Sequence, residues 1–176
     1  MLKVNPHPDY PSEDGRYLRG NDFSPVAVAI ILNCDADKIP LELENLVRAG
    51  IETGAALSGT VQTENIGFEK IVCNIIGNPN IRYLIVGGPE SEGHLTGEAL
   101  KALISNGVDD KKRIIGTDAP HPFLFNLSVQ MIERFREQLS VVDLQDDKER
   151  DLFKSRFTSS HQCYPIPYCK AYPLKS

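Results

Sequence analysis

Short apolar runs alternate with amphipathic segments through residues 25–145. The run 25–32 is continuously apolar, as is typical of a parallel strand that is buried on both faces. In the segment 64–77, apolar residues recur three and four positions apart, so they share one face of a helix. Strands that alternate with helices through short, glycine-marked connections are typical of α/β domains. We therefore expect an α/β fold with a largely parallel sheet and helices on both faces.

The same patterns predict the bounds of the elements. Strands are predicted at 25–32, 54–61, 82–86, 113–115 and 141–142, and helices at 40–49, 64–77 and 95–104. A fourth helix is predicted within 123–138, with Val129, Ile132 and Phe135 on one side. Gly50 is expected to end the first helix. We divide the chain into an extended, proline-containing arm (1–25), an α/β domain (26–145) and a C-terminal region (146–176). A charged, solvated helix is predicted over 143–154, followed by an irregular tail with prolines and cysteines.

Charge and composition exclude several classes of protein. The chain has 176 residues and a formal net charge of −5, whereas proteins that bind nucleic acid or anionic membranes are usually basic. It has no apolar run of about 18 residues and no signal-peptide core near its first residues. We expect a cytoplasmic protein with no nucleic-acid partner and no direct membrane insertion. Its cysteines (Cys34, Cys73, Cys163 and Cys169) are then expected to be thiols, although a Cys163–Cys169 bridge stays open.

A glycine-rich loop with a histidine follows the predicted strand 82–86. In open α/β sheets, ligands bind beyond the carboxyl ends of the strands, where this loop is expected. His94 stands at the start of the next helix, where the helix dipole disfavours a protonated imidazole and so preserves a lone pair for a metal. Glu90 or Glu92 is near enough in sequence to accept a hydrogen bond from the other ring nitrogen and orient the ring.

Other interpretations of these residues stay open. A glycine-rich turn is the ordinary way to leave a strand, and a histidine at a helix start can simply cap it. The loop has neither the Gly-x-Gly-x-x-Gly order of a dinucleotide site nor a P-loop lysine. The segment 120–122 (Pro-His-Pro) is either a rigid turn or a second wall of the same pocket. His161, Cys163 and Cys169 supply only three candidate zinc ligands, and Cys73 fits a core position better than a nucleophile.

Several short segments together resemble one known family. They are Thr63-Glu-Asn-Ile-Gly-Phe-Glu-Lys70, Asn78-Pro-Asn-Ile-Arg82, Glu92-Gly-His-Leu-Thr-Gly97, and Asn106-Gly-Val-Asp109 with Ile114-Ile-Gly116; Asn21 and Ser24-Pro-Val-Ala-Val28 fit as well. In this order and spacing, over residues 17–145, they resemble the A subunit of tetrahydromethanopterin S-methyltransferase. That family is the corrinoid-carrying component of a membrane complex that moves a methyl group from methyl-tetrahydromethanopterin to coenzyme M and couples this to sodium translocation.

The resemblance implies a Rossmann-like domain with a cobalamin-type corrinoid whose cobalt takes His94 as axial ligand and catalytic residue. The expected cofactor-binding residues are Gly87, Gly88, Glu92, Gly93, His94, Leu95, Thr96, Gly97, Thr117 and Pro120. The expected partners are the corrinoid and the methyltransferase proteins that hold the methyl donor and the methyl acceptor. The spacing Glu92-x-His94-x-x-Gly97 is also locally similar to the Asp-x-His-x-x-Gly segment of unrelated corrinoid proteins, in which the acid binds the ligating imidazole.

The chain departs from the family at two places. Residues 117–122 replace a stretch of small residues, and from Asp151 on we expect a polar tail in place of the family's membrane anchor. The expected function is methyl transfer, as one component of a methyltransferase, on cobalt, between a tetrahydropterin-type donor and a thiol acceptor such as coenzyme M. The alternatives are a non-catalytic corrinoid carrier, store or regulator, and a Rossmann-like protein that has lost the corrinoid site.

Overall fold

The computed structural model describes residues 3–35 and 38–145. Within these ranges the chain forms five strands and four helices. In chain order they are β1 (Tyr17–Arg19), β2 (Val26–Ile31), α1 (Leu41–Glu52), β3 (Leu57–Val61), α2 (Ile66–Ile76), β4 (Tyr83–Gly87), α3 (Thr96–Asn106), α4 (Val129–Gln138) and β5 (Ser140–Asp143).

The strands form one sheet in the order β1-β3-β2-β4-β5. β2, β3, β4 and β5 are parallel, and β1 runs antiparallel to β3. β2 has β3 on one side and β4 on the other, so the direction in which the chain adds strands reverses at β2. Such a reversal opens a crevice beyond the carboxyl ends of the strands. The sheet confirms the predicted α/β, Rossmann-like fold class.

Helices cover both faces of the sheet, as predicted. α1 packs with one apolar cluster, and α2, α3 and α4 contribute to the other. β2 contributes to both clusters because successive side chains of a strand point to opposite faces. The three-helix cluster takes Ala27, Ala29 and Ile31, and the α1 cluster takes Val26, Val28 and Ile30. Burial of all six residues explains why this run is continuously apolar.

Gly50 lies inside α1 and does not end it, contrary to the prediction. A Cβ at this position would lie 2.5 Å from Ser58 Oγ on β3. Glycine therefore allows α1 to approach the sheet closely, and the helix continues to Glu52. The other predicted helices, and the predicted strands that pair in the sheet, begin and end within a few residues of their predicted bounds.

Residues 113–115, predicted as a strand, do not join the sheet. Arg113 and Ile114 form isolated antiparallel bridges, to Phe123 and to Val108. The Ile114 side chain is fully buried. This run is apolar because it belongs to a loop that packs against the core. Over only three residues, the pattern of such a loop cannot be distinguished from that of a strand.

The helix predicted within 123–138 is confirmed, and it runs from Val129 to Gln138. Ser128 is its N-cap, since Ser128 Oγ accepts a hydrogen bond from the Met131 N–H at 3.2 Å. The rings of Phe123 and Phe125 stack in the preceding loop, with centroids 5.2 Å apart.

Part of the predicted N-terminal arm belongs to the sheet. Residues 17–19 form β1, where Tyr17 pairs with Gly59 of β3. Further upstream, Tyr10 is buried, and the Asn74 side chain on α2 accepts the Glu13 N–H at 2.8 Å. The arm is therefore packed along the α/β domain over much of its length.

The C-terminal region is mostly outside the described residues. Asp143, where a charged helix is predicted to begin, is the last residue of β5. Residues 146–176, with the rest of that helix, His161, Cys163 and Cys169, lie beyond what the structure describes. None of the helices in the described ranges is long and apolar enough to cross a membrane.

Candidate functional site

A polar crevice lies at the carboxyl edge of the sheet, where the strand order reverses. Its volume is about 410 Å³. The loop after β2 lines one side, Gln62 after β3 forms part of the floor, and the loop after β4 closes the other side. The lining residues are Leu32, Asn33, Cys34, Asp35, Lys38, Gln62, Ser91, Glu92 and His94. The histidine loop therefore opens into the place where this fold class binds ligands.

His94 presents its imidazole to this crevice. The side chain is 56% exposed, and its Nδ1 lies 3.3 Å from Oε2 of Glu64. Because Nδ1 faces a carboxylate, Nε2 is the nitrogen left for a ligand or a metal. A carboxylate at the other ring nitrogen is the usual companion of a metal-bound histidine, since it fixes the tautomer and the ring orientation.

Glu64 is the buried centre of this arrangement. It is only 1% exposed, and it stands just before α2. Its Oε1 accepts the His121 backbone N–H at 3.1 Å, while Oε2 has no hydrogen-bond partner in the described ranges and meets His94. One carboxylate thus joins the start of α2, the His94 loop and the loop 116–122.

The contact to His94 does not come from the acids that sequence proximity suggests. Glu92 is exposed. Glu90 accepts the Gly97 N–H and the Glu98 N–H, each at 2.8 Å, at the start of α3. Glu90 therefore caps the helix, where a negative charge meets the positive end of the dipole. The carboxylate that lies next to the His94 ring is instead that of Glu64, thirty positions earlier in the chain.

A buried pair of hydroxyls sets the position of the histidine loop. Ser91 Oγ accepts the Thr96 N–H at 3.0 Å and donates to Thr96 Oγ1 at 2.7 Å. Thr96 Oγ1 in turn donates to the Gln62 carbonyl at 3.1 Å. Between them, Leu95 adopts a left-handed conformation with φ 50°. These bonds tie the loop after β4 to the end of β3, so His94 is held on a fixed turn.

The predicted glycines play different structural parts. Gly87 pairs with Ile30 at the end of β4. Gly88 has φ +87°, and a Cβ there would lie 2.7 Å from the Ile31 carbonyl oxygen, so only glycine fits. Gly93 also has a positive φ, but a Cβ there would meet nothing within 4 Å. Gly93 therefore leaves open space beside His94.

Thr117 and Pro120 lie in the loop that Glu64 anchors. Thr117 is buried, and its Oγ1 accepts the Ala119 N–H at 3.1 Å. Pro120 is exposed and directly precedes His121, whose N–H bonds Glu64. The loop thus approaches the His94 site, although residues 113–115 before it are not a strand of the sheet.

Sequence reasoning missed Glu64, Gln62 and Cys34 as residues of the site. Cys34 follows β2, whereas Gln62 and Glu64 lie in the connection between β3 and α2, so only the sheet brings these two segments to the histidine loop. Glu64 belongs to one of the segments that carry the family resemblance, but its place in the sequence indicates only the start of a helix. Cys73, in contrast, packs against the core as predicted, and burial raises the pKa of its thiol.

Within residues 3–35 and 38–145, no group of three or more histidine, cysteine, aspartate or glutamate side chains could hold a metal ion.

Comparison with known proteins gives consistent matches. The model of the family described as the A subunit of tetrahydromethanopterin S-methyltransferase matches residues 3–164. The first of two numbered A subunits of this enzyme from Methanothermobacter marburgensis is 41% identical over 88% of this chain and 60% of its own length. The second A subunit from Methanothermobacter thermautotrophicus is 42% identical over 89% of this chain and 80% of its own length. The A subunit from Methanocaldococcus jannaschii is 43% identical, and the match covers 82% of this chain and 56% of the relative. The chain thus spans little more than half the length of some relatives.

Proposed function

The chain belongs to the family formed by the A subunit of tetrahydromethanopterin S-methyltransferase, and on this premise we propose that it binds a corrinoid through His94. In this proposal it carries a methyl group on cobalt between a tetrahydropterin-type donor and a thiol acceptor such as coenzyme M. The relatives are named as one subunit of a methyltransferase. We therefore propose that separate methyltransferase proteins hold the donor and the acceptor, and that this chain carries the methyl group between them.

The observation that supports the proposal most is the pairing of His94 with Glu64. An imidazole that reaches into the crevice with a buried carboxylate at Nδ1 has the donor set of an axial ligand, because Nε2 stays free and oriented. A capping histidine would instead turn a ring nitrogen to the backbone at the start of α3, where Glu90 already takes the free N–H groups. The residues present thus fit a corrinoid cobalt.

The cobalt of a bound corrinoid supplies the reactive centre that takes up and releases the methyl group. The residues of this chain hold that centre. Glu64 Oε2, 3.3 Å from His94 Nδ1, is the acceptor toward which the Nδ1–H of a ligating imidazole would turn, and this would keep the lone pair on Nε2 directed into the crevice. Ser91 and Thr96 hold the turn that carries His94. Since the His94 side chain is half exposed, its ring can turn within the crevice without rearrangement of the core.

The test is axial ligation in the full chain. The protein with ¹⁵N-labelled histidine is reconstituted anaerobically with a cobalamin and reduced to cobalt(II), and the nitrogen coupling is read by electron paramagnetic resonance. We expect the coupling in the wild type and in His7→Ala and His121→Ala, and its loss in His94→Ala. Because a large ring makes many contacts with the protein, some cobalamin can remain bound to His94→Ala. The nitrogen coupling, and not the amount of bound cobalamin, is therefore the readout that tests ligation by His94.

Two outcomes would overturn the proposal. In one, hydroxocobalamin at micromolar concentration elutes entirely free of the wild-type protein in gel filtration. In the other, cobalamin binds but the nitrogen coupling survives in His94→Ala and disappears in His121→Ala, which would place the ligand on the neighbouring loop.

A further inference from the structure

An exposed aromatic pair lies in the segment that follows the Glu64-bound residue His121. The rings of Phe123 and Phe125 stack with an angle of 9° between their planes. Phe125 is 66% exposed, and Phe123 is half-buried. We call these two rings the aromatic platform. Large apolar side chains that lie together on a protein surface mark a contact with another polypeptide segment more often than scattered ones do.

The aromatic platform is fixed to the domain. The Glu69 carboxylate on α2 accepts the Asn126 N–H at 2.8 Å and the Asn126 side-chain N–H at 2.7 Å. Lys112 Nζ donates to the carbonyls of Phe125 and Leu127, at 2.9 and 2.7 Å. These bonds hold the backbone at Phe125 and just after it, so its ring is exposed in a defined position. A preformed surface loses little entropy when a second segment packs on it.

A proline-rich segment later in the sequence has the composition that such a surface binds. Residues 164–174 read Tyr-Pro-Ile-Pro-Tyr-Cys-Lys-Ala-Tyr-Pro-Leu. Proline fixes φ and favours the extended polyproline II conformation, so a segment of this kind has less entropy to lose on binding. Domains that recognise proline-rich peptides bind them in grooves lined with aromatic rings. The exposed phenylalanine rings therefore suit this segment.

The described part of the chain brings this segment within reach. A Cβ at Gly97 would overlap the Gln145 carboxamide, so Gln145 lies against the start of α3. The chain thus continues from the carboxyl edge of the sheet, where the loop 116–122 also borders the His94 site. Tyr164 stands nineteen positions after Gln145, a stretch that spans up to about 60 Å when extended. A domain of this size has a radius of gyration of about 16 Å, so the segment can reach the aromatic platform.

Charge favours a contact between this part of the sequence and the domain. Residues 152–176 contain four lysine or arginine residues and no aspartate or glutamate. The whole chain nevertheless has a net charge of −5, so the part that precedes them is clearly acidic. Opposite charges attract the basic segment to the acidic domain, whereas two acidic domains repel each other. The segment is therefore a better occupant of the aromatic platform than the domain of a second copy.

We propose that residues 164–174 pack on the aromatic platform of the same chain. Proline and tyrosine side chains of the segment then cover the exposed face of Phe125, and the burial of this apolar surface stabilises the contact. Cys169 lies within the segment and Cys163 directly before it, so both thiols come to the loop that borders the His94 site. The contact needs no bound cofactor, so it is independent of the proposed function.

The reactivity of the two thiols tests the contact. The full chain is reduced and treated with iodoacetamide in buffer and in urea, without corrinoid, and the alkylation rate of each cysteine is read by mass spectrometry. The ratio of the rate in urea to the rate in buffer is the protection of that thiol. We expect Cys169 to be protected at least about threefold in the wild type, because a packed segment reacts only when it opens.

Phe125→Ser tests the location, and Phe23→Ser is its matched control. Both variants remove an exposed phenylalanine ring, but Phe23, which is 42% exposed, lies outside the aromatic platform. We expect Phe125→Ser to abolish the protection of Cys169 and Phe23→Ser to leave it unchanged. Thermal unfolding checks the fold. If Phe125→Ser does not fold, Tyr168→Ser changes the other side of the contact, and the protection of Cys163 is expected to be lost in the same way.

Three outcomes would overturn the proposal. In the first, Cys163 and Cys169 of the wild type react as fast in buffer as in urea. In the second, their protection persists in folded Phe125→Ser, which would place the segment elsewhere. In the third, protection rises with protein concentration, which would place the segment on a second copy. None of these outcomes affects the test of axial ligation by His94.

Discussion

Glu64→Gln is the sharpest perturbation of the His94 site. Glutamine has nearly the same shape, and its carbonyl oxygen can still accept the His121 N–H, so the junction between α2 and the loop 116–122 is kept. What is lost is the negative charge and the acceptor that faces His94 Nδ1. The ring then loses the partner that fixes its tautomer. We expect weaker axial ligation with little change in fold.

The expected loss of cobalamin affinity follows from the exposure of the His94 imidazole and from the distance between Glu64 Oε2 and His94 Nδ1. Substitution of a residue that holds a metal ligand in place typically lowers the affinity for the metal about 10–100-fold. This corresponds to about 1.4–2.8 kcal/mol of binding free energy. The contact from Glu64 to His94 is 3.3 Å long, and the imidazole is 56% exposed, whereas strong charge-assisted bonds are about 2.7–2.9 Å and better shielded. We therefore expect the lower end, about tenfold weaker binding of cobalamin.

Glu92→Gln is the matched control. It makes the same chemical change two residues from His94, but on an exposed side chain that the structure does not pair with the imidazole. Glu92 lines the crevice but is not paired with the imidazole, so we expect a smaller loss of cobalamin affinity than for Glu64→Gln. Both variants and the wild type are titrated with hydroxocobalamin by visible absorption. Equal losses in the two variants, or a larger loss in Glu92→Gln, would refute the assignment of the contact to Glu64.

Two further predictions concern stability. Gly88→Ala should lower the free energy of unfolding by about 2–3 kcal/mol, because a left-handed non-glycine residue costs about 1–2 kcal/mol and the added Cβ overlaps the Ile31 carbonyl. Gly93→Ala, which has open space around the added Cβ, should lower it by only about 1–2 kcal/mol. Urea unfolding measures both, and a larger loss for Gly93→Ala would contradict the geometry. Burial raises the pKa of the Tyr10 hydroxyl above its usual value of about 10, so above that pH the unfolded chain loses this proton first and stability falls as pH rises. Tyr10→Phe should make the alkaline decline in unfolding free energy shallower, and an unchanged slope would speak against burial as its cause.

Several predictions about the whole chain stay predictions. They are the cytoplasmic location, the absence of a nucleic-acid partner, the absence of direct membrane insertion and the division into three regions. The polar tail that replaces a membrane anchor and the states of Cys163 and Cys169 fall outside the described residues.

The sequence by itself determined the fold class and the neighbourhood of the site. Periodicity is a local property of the chain, so the buried run of β2 and the amphipathic face of α2 are legible without any partner. The loop 87–97 follows β4 in the chain, and parallel strands end at one edge, so its place at the carboxyl edge follows from the order of elements. The short segments that resemble the methyltransferase family indicate the same fold class and the same loop, and they do so more specifically than periodicity does.

The tertiary structure decided what depends on contacts between distant segments. Residues 113–115 have a strand-like pattern, but whether they join a sheet depends on which edge is free, and β5 takes the edge beside β4. Gly50 looks like a helix end until Ser58 packs against it. Glu64 reaches His94 because β3 and β4 flank β2 and bring the starts of α2 and α3 together. Sequence distance does not encode such proximity, because burial and hydrogen bonding between loops are set by the packed sheet as a whole.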